Sequence, residues 1–398
     1  MTAVSTALVI GGGVAGPVTA MALRKAGIEP TVFEAYATEA DTIGGTLTVA
    51  PNGLDALRIV GADAAVRAIG LPMTQTVMAD GDGRRLGEFA GLPDLPPSQA
   101  VWRPDLYRAL HDCAATLGIE VQKGKRLVAV DETSAGITAR FADGTTAFGD
   151  LLIGADGIHS TVRTLIDPRA PGPDHVPLLN FVGTADIAVA DRDDAMYFVF
   201  GRRGFLGYWA QPDGSTAWFA NVPHADATTI SAGREVPASE WLERLGEVYA
   251  DDTPGRELLE RTAADDLSVL GSVEIMPKVP RWHGGRMVLV GDAVHAPSPS
   301  SGQGASLAAE SAVELARCLR DLPDVPSALA AYERRRRSRV EKVAARAART
   351  NNTKALGPRA IAMMRLLMPI AMKTVLSPER TLGREQRYRI DWDQPATA

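Results

Sequence analysis

Gly11, Gly13 and Gly16 carry the strongest chemical signal in this sequence. They follow an aliphatic run, Ala7 to Ile10, that reads as a short buried strand. A helix-like stretch through Met21 and Leu23 comes next and stops at Gly27. In that setting a Gly-x-Gly-x-x-Gly spacing permits a tight turn, a close approach of backbone to a pyrophosphate, and close helix–strand packing. The first helical N–H groups, around Ala15 and Gly16, would face the phosphate oxygens. Glu34 ends the next strand, where a carboxylate can accept bonds from an adenosine ribose and disfavours a 2′-phosphate. A glycine-rich turn without a ligand would explain the glycines, but not the strand, helix and carboxylate placed around them.

Two later segments have the same form. Gly154 to Arg163, GADGIHSTVR, follows the strand-like run Leu151 to Ile153. Alone it reads as no more than a turn at Asp156-Gly157. Gly291 to Ser306, GDAVHAPSPSSGQGAS, follows Met287 to Val290. It places Asp292 at a strand end and leads through Gly302 and Gly304 into a second helix, whose N-terminus would face the same ligand zone. The six histidines show no metal-ligand spacing, and Cys113 and Cys318 are too few for a zinc site or a disulfide framework. No metal is expected.

The elements that must position these loops are legible in outline. A complete βαβ unit opens the sequence. Residues 73–90 read as a hairpin around Asp80-Gly81-Asp82-Gly83, and a helix follows from Pro104 to Leu117. Strands flank the turn Asp143-Gly144. Between Pro171 and Pro280, prolines punctuate short extended runs rich in aromatics, as in an antiparallel sheet. A helix from Ser306 to Leu319 and a long charged helix from Val325 to Arg349 complete the pattern. With 398 residues, the chain spans about two to three domain-sized units. It is 45% hydrophobic and 23% charged, which excludes disorder and collagen-like repeats. A net charge of −6 makes nucleic-acid binding through the overall field a poor fit. The arginines at 334–337 read as a solvated helix face with i,i+4 pairs. The start of the sequence lacks the basic region of a secretory signal, and the two cysteines suit a reduced compartment, so a cytoplasmic protein is expected. Ala360 to Met372 is too short and too interrupted to span a bilayer. It reads as a C-terminal helix capping the aromatic region, with a dimer surface or an interfacial membrane helix as alternatives.

In this order and spacing, the three segments resemble the group A flavin monooxygenases, the single-component FAD hydroxylases related to p-hydroxybenzoate hydroxylase. Residues 44–47 and the length are also similar to tetracycline-inactivating members, and salicylate-hydroxylase-like members are of similar size. The resemblance implies an α/β fold: a Rossmann-like FAD-binding domain with an inserted antiparallel β-sheet substrate domain and C-terminal helices. The FAD domain would take residues 1–72, 100–170 and 281–355; the substrate domain 73–99 and 171–280; and a helical segment 356–398. Gly11, Gly13, Ala15 and Gly16 would hold the FAD pyrophosphate, Glu34 the adenosine ribose, and Arg103 the flavin cofactor. Asp156 and Arg163 belong to the segment linked to FAD and to transient NAD(P)H. Gly291 and Asp292 would serve the ribityl or pyrophosphate part. Pro299 would lie beside the flavin ring, with Gly302, Gly304 and Ala305 near its pyrimidine edge.

The implied reaction uses NAD(P)H and O2 to hydroxylate or epoxidise a hydrophobic aromatic or polyketide-like small molecule through a flavin C4a-hydroperoxide. Tyr208, Trp209, Trp218 and Phe219 are candidates for the pocket wall or, equally, for the sheet core, and Asn221 for orienting a polar substrate group. No general base stands out, and His295 reads as a structural loop residue. Two positions depart from the family pattern: Asp41 where relatives carry arginine, and Ser306 where they often have asparagine. A reductase or dehydrogenase, a halogenase (whose WxWxIP signature is absent) and a ligand-sequestering flavoprotein are the alternatives. Monomer and homodimer are both open.

Overall fold

The computed structural model describes residues 4–38, 45–226, 228–351, 358–374 and 377–397. Asp41 and Gly44 lie outside the described residues.

The expected βαβ unit forms. Strand Thr6–Ile10, helix Ala15–Lys25 and strand Glu29–Phe33 follow one another, and the helix ends before Gly27, which takes φ 81°. These strands sit in a six-stranded sheet, in the order His283–Gly284, Met287–Leu289, Leu151–Gly154, Thr6–Ile10, Glu29–Phe33, Glu120–Gln122. All neighbours pair parallel except the short first pair. Helices cover both faces of such a sheet, which is why its strands are uninterrupted apolar runs. Leu151, Leu152 and Ile153 are completely enclosed, as are Val288 and Leu289.

The second body is a seven-stranded sheet: Thr262–Ile275, Asp174–Ala185, Thr216–Pro223, Phe205–Ala210, Ala195–Phe200, Gln75–Asp80, Arg85–Ala90. Its pairs are antiparallel except Ala195–Phe200 with Gln75–Asp80. The 73–90 hairpin therefore belongs to the same sheet as the strands from 174 to 275. Helices Ile230–Glu235, Ala238–Val248 and Gly255–Glu260 also occur here, where the sequence suggested only extended runs. They cover one face of the sheet, packing Trp241, Leu245, Tyr249 and Leu258 against it.

The C-terminal residues divide between the two bodies. Helix Pro358–Thr374 packs on strand Arg85–Ala90, and its Arg365 pairs with Asp80 at 2.6 Å and with Asp82. Three apolar side chains on it, Met363, Leu366 and Leu367, are exposed. Residues 385–397 then return to the parallel-sheet body: Ile390 and Ala396 join its core, and Arg317 and Arg320 donate to the carbonyls of Asp391 and Trp392. Within the expected helical segment 356–398, the described residues form the helices Pro358–Thr374, Pro378–Thr381 and Gly383–Gln386, the first on the aromatic sheet, and end in a strap on the other body. No described helix is long and apolar enough to cross a membrane.

Candidate functional site

The three motif loops leave the carboxyl ends of three adjacent parallel strands, Thr6–Ile10, Leu151–Gly154 and Met287–Leu289, the place where open α/β sheets bind ligands. They touch one another through glycine. Gly11 has φ 104°, and a Cβ there would lie 2.4 Å from the Ala155 carbonyl oxygen. A Cβ on Gly16 would lie 1.9 Å from the Gly11 oxygen, and one on Gly291, at φ 60°, 2.8 Å from the Ala15 Cβ. Gly13 differs: a Cβ there would meet nothing within 4 Å. Gly11 and Gly291 let the loops close on each other, Gly16 lets the first loop close on itself, and Gly13 keeps a path open along the backbone. That open cradle, beside a helix N-terminus with neither a side-chain cap nor an acidic residue in its first turn, fits a pyrophosphate. Helix Gly304–Asp321 presents a second N-terminus of the same kind, starting at Gly304 and Ala305.

Charged groups frame the cradle. Glu34 accepts a hydrogen bond from Gly12 N at 2.6 Å and one from Tyr36 N at 2.9 Å, which holds its carboxylate at the mouth of the first loop. His111 Nε2 donates to the Gly12 oxygen at 2.7 Å. Sequence reasoning missed this contact, since nothing marks one histidine on an amphipathic helix. Arg103 opens helix Arg103–Thr116 with its side chain exposed, and its N–H donates to Gly45 O at 3.0 Å. Asp292 reaches solvent within the cleft. Crowding by the protein raises its carboxyl above the ordinary range, with the Arg103 charge opposing the shift.

Two residues expected near the cofactor make their bonds within the protein. Arg163 is 3% exposed, and its guanidinium donates to Ala293 O at 2.9 Å and Ile158 O at 2.8 Å. It braces the second loop against the third. The Asp156 carboxylate accepts from Ser160 Oγ at 2.5 Å, Thr161 N at 2.8 Å and Val162 N at 3.1 Å. Both oxygens accept bonds at the start of helix Thr161–Ile166, so Asp156 shapes its loop as a helix cap does.

The aromatic candidates separate by strand alternation. Tyr208 stacks on Tyr197 with centroids 4.6 Å apart, and Trp218 donates Nε1–H to Thr262 Oγ1 at 2.9 Å. Both lie in the layer under the covering helices, so of the two readings, pocket wall and sheet core, they take the sheet core. The opposite face carries Trp209, Phe219 and Asn221. Trp209 is 2% exposed and fills the junction with Met73 and Ala100 of the small sheet that precedes Arg103. Phe219 is half-buried among Phe198 and Phe205, and Asn221 donates to the Asn180 side chain. This face is turned toward the cofactor body: a Cβ on Gly45 would lie 3.0 Å from Val182 and 2.6 Å from Leu270.

Pro299 is exposed in the short turn Pro299–Ser301, and Gly302 closes that turn at φ 59°. Ser306 accepts a hydrogen bond from Ala50 N at 3.0 Å and is fully buried. A Cβ on Gly53 would lie 2.4 Å from its Oγ, so the two helices meet here with no spare room. The serine fits this space, where the larger asparagine suggested by the resemblance would not. Ser306→Asn is expected to cost about 1–3 kcal/mol by overpacking, measured as a lower denaturant midpoint. An unchanged midpoint would contradict this contact. The arginine run also differs from a solvated face: Arg337 pairs with Glu333 and Glu341, but Arg336 is completely buried.

The comparisons with known proteins agree with this geometry. The FAD binding domain family matches residues 4–347. Aurachin C monooxygenase/isomerase of Stigmatella aurantiaca is 31% identical over 326 residues, 79% of this chain and 80% of that protein. The FAD-dependent urate hydroxylase of Klebsiella pneumoniae is 31% identical over 323 residues, 79% of this chain and 81% of the relative. The crystal structure of Klebsiella pneumoniae HpxO complexed with FAD and uric acid superposes with a TM-score of 0.83 at 25% identity, over 94% of this chain and 96% of that one. With the FAD family spanning most of its length, and with monooxygenases and hydroxylases matching across that span, this chain belongs to the FAD-dependent monooxygenases, and it is an oxidoreductase.

Proposed function

We propose that this enzyme uses NAD(P)H and O2 to oxygenate a hydrophobic aromatic or polyketide-like small molecule held between the Pro299 loop and the open face of the seven-stranded sheet. The observation that carries this reading is the apolar surface of the half-buried Phe198 and Phe219, packed with the buried Phe205, on the face turned toward the body whose three loops converge on the FAD cradle. We divide the chain accordingly into an FAD body and a substrate body, with the 73–90 hairpin in the latter. The urate hydroxylase relative and the uric acid complex support a planar ring as substrate.

In this reading the N–H groups of Ala15 and Gly16 bind the pyrophosphate, Glu34 the adenosine ribose, and Arg103 and Asp292 the remainder of the cofactor, with Gly302, Gly304 and Ala305 along the flavin edge. Bound FAD supplies the redox chemistry, passing electrons from NAD(P)H to O2 so that one oxygen atom reaches the substrate and the other leaves as water. The protein's own part is to orient the ring on Phe219, to offer the Asn180–Asn221 amides to a polar group, and to exclude water. His295 is not the base: burial and the Arg336 charge push its imidazole down to about 3, and its Nε2 is engaged with Ser311 at 2.8 Å.

The test is a panel of aromatic and polyketide ligands scored for stimulated consumption of NADH and of NADPH, with products identified by mass. At least one ligand should accelerate consumption and gain one oxygen atom. Ligands that bind tightly without stimulating consumption would instead mark a sequestering flavoprotein.

A further inference from the structure

Glu310 lies on helix Gly304–Asp321 and Arg336 on the neighbouring helix Val325–Asn351. Among the described residues they form the most deeply enclosed ion pair, with side chains 1% and 0% exposed and Arg336 Nη2 2.7 Å from Glu310 Oε2. Arg339 adds two hydrogen bonds of 2.7 Å to the same carboxylate. Burial works to raise the Glu310 carboxyl, but Arg336, Arg339 and Asn52 outweigh it and hold it below the ordinary range.

Two arms run from this pair to the loop between Asp292 and Gly304. On one, Asn52 Nδ2 donates to Glu310 Oε1 at 2.7 Å and to Gln303 Oε1 at 2.9 Å. Gln303 immediately precedes the uncapped helix N-terminus. On the other, Arg336 Nε donates to Ser311 Oγ at 3.2 Å, and Ser311 Oγ lies 2.8 Å from His295 Nε2. The segment carrying Pro299 and Gly302 is therefore pinned at both ends, His295 and Gln303, by one buried hub.

Such a hub is a poor source of stability. Asn52 Oδ1, His295 Nδ1 and Arg336 Nη1 are buried without a hydrogen-bond partner. A partly satisfied buried network is worth less than apolar packing of the same volume, so its use points to fixing geometry. We propose that the Glu310–Arg336 pair, acting through Asn52 and Ser311, is a positioning element that sets the 295–303 loop and the first turn of helix Gly304–Asp321 against bound FAD.

Two variants separate positioning from packing. Asn52→Ala cuts the link to Gln303 while leaving both charges paired. Glu310→Gln combined with Arg336→Met removes the pair; Arg339, 12% exposed, loses its carboxylate partner but keeps its bond to the Glu385 carbonyl. Titration of each apoprotein with FAD should give a Kd at least about tenfold above wild type, with the apoprotein melting temperature largely retained. The midpoint potential of the bound flavin should also move, a readout that a merely structural role would leave in place. If Asn52→Ala binds FAD with wild-type Kd and potential, the proposal is overturned. Recovery of wild-type Kd and potential in the double variant would overturn it too, since the pair would then be a packing feature. Should the double variant fail to fold, Asn52→Ala decides the matter alone.

Discussion

Gly13→Ala should weaken FAD binding about a hundredfold in a protein that remains folded. The added Cβ meets no protein atom within 4 Å, so the apoprotein has no clash to relieve. Its stability should be unchanged or higher by up to about 1 kcal/mol, because alanine narrows the unfolded ensemble. The same Cβ stands in the path proposed for the pyrophosphate. We expect a loss of affinity of about two orders of magnitude, ~2.8 kcal/mol at ~1.4 kcal/mol per tenfold. Gly16→Ala should behave differently. Its Cβ would sit 1.9 Å from the Gly11 oxygen, so it should lose FAD binding and fold stability together. Fluorescence titration with FAD and a melting curve on both variants check the pair. Equal FAD affinity for Gly13→Ala and wild type would remove the pyrophosphate from that path.

Trp218→Ala is the second large effect, and it falls on stability. The indole lies over Gly183, where a Cβ would come within 2.5 Å of the ring, and its N–H is satisfied by Thr262. Truncation leaves a cavity between sheet and helices and removes the indole donor from Thr262, whose hydroxyl keeps its bond to the Leu258 carbonyl; the loss should be about 3–5 kcal/mol. Phe219→Ala is the contrast: its ring is half-exposed over Gly207, so the stability loss should be smaller and ligand binding should suffer most. Chemical denaturation of the two variants, followed by ligand titration of each holoenzyme, separates them. A Trp218→Ala protein of wild-type stability would contradict the core assignment.

These expectations show what was legible before the structure and what was not. The loops at Gly11, Gly154 and Gly291 could be read because backbone geometry demands glycine there and strands announce themselves by apolar runs. The destination of individual polar atoms could not. Asp156 and Arg163 sit in a recognisable motif, but only the fold shows one capping a helix and the other holding the Ala293 and Ile158 carbonyls. Alternation says that Tyr208 and Trp209 point to opposite faces without saying which face meets the cofactor. Arg336 looks like its neighbours in an arginine run, because its partner Glu310 lies on another helix. The helices Ala238–Val248 and Gly255–Glu260 were hidden by a proline-rich, aromatic context that reads as short strands.

Labelled dioxygen tests the central claim most directly. The holoenzyme, supplied with NAD(P)H and a ligand that stimulates its consumption, should yield product carrying one oxygen atom from ¹⁸O₂, and the second labelled atom should appear in water. Product that gains no oxygen, or gains it from labelled water instead, would contradict a monooxygenase and leave a dehydrogenase or reductase of the same fold.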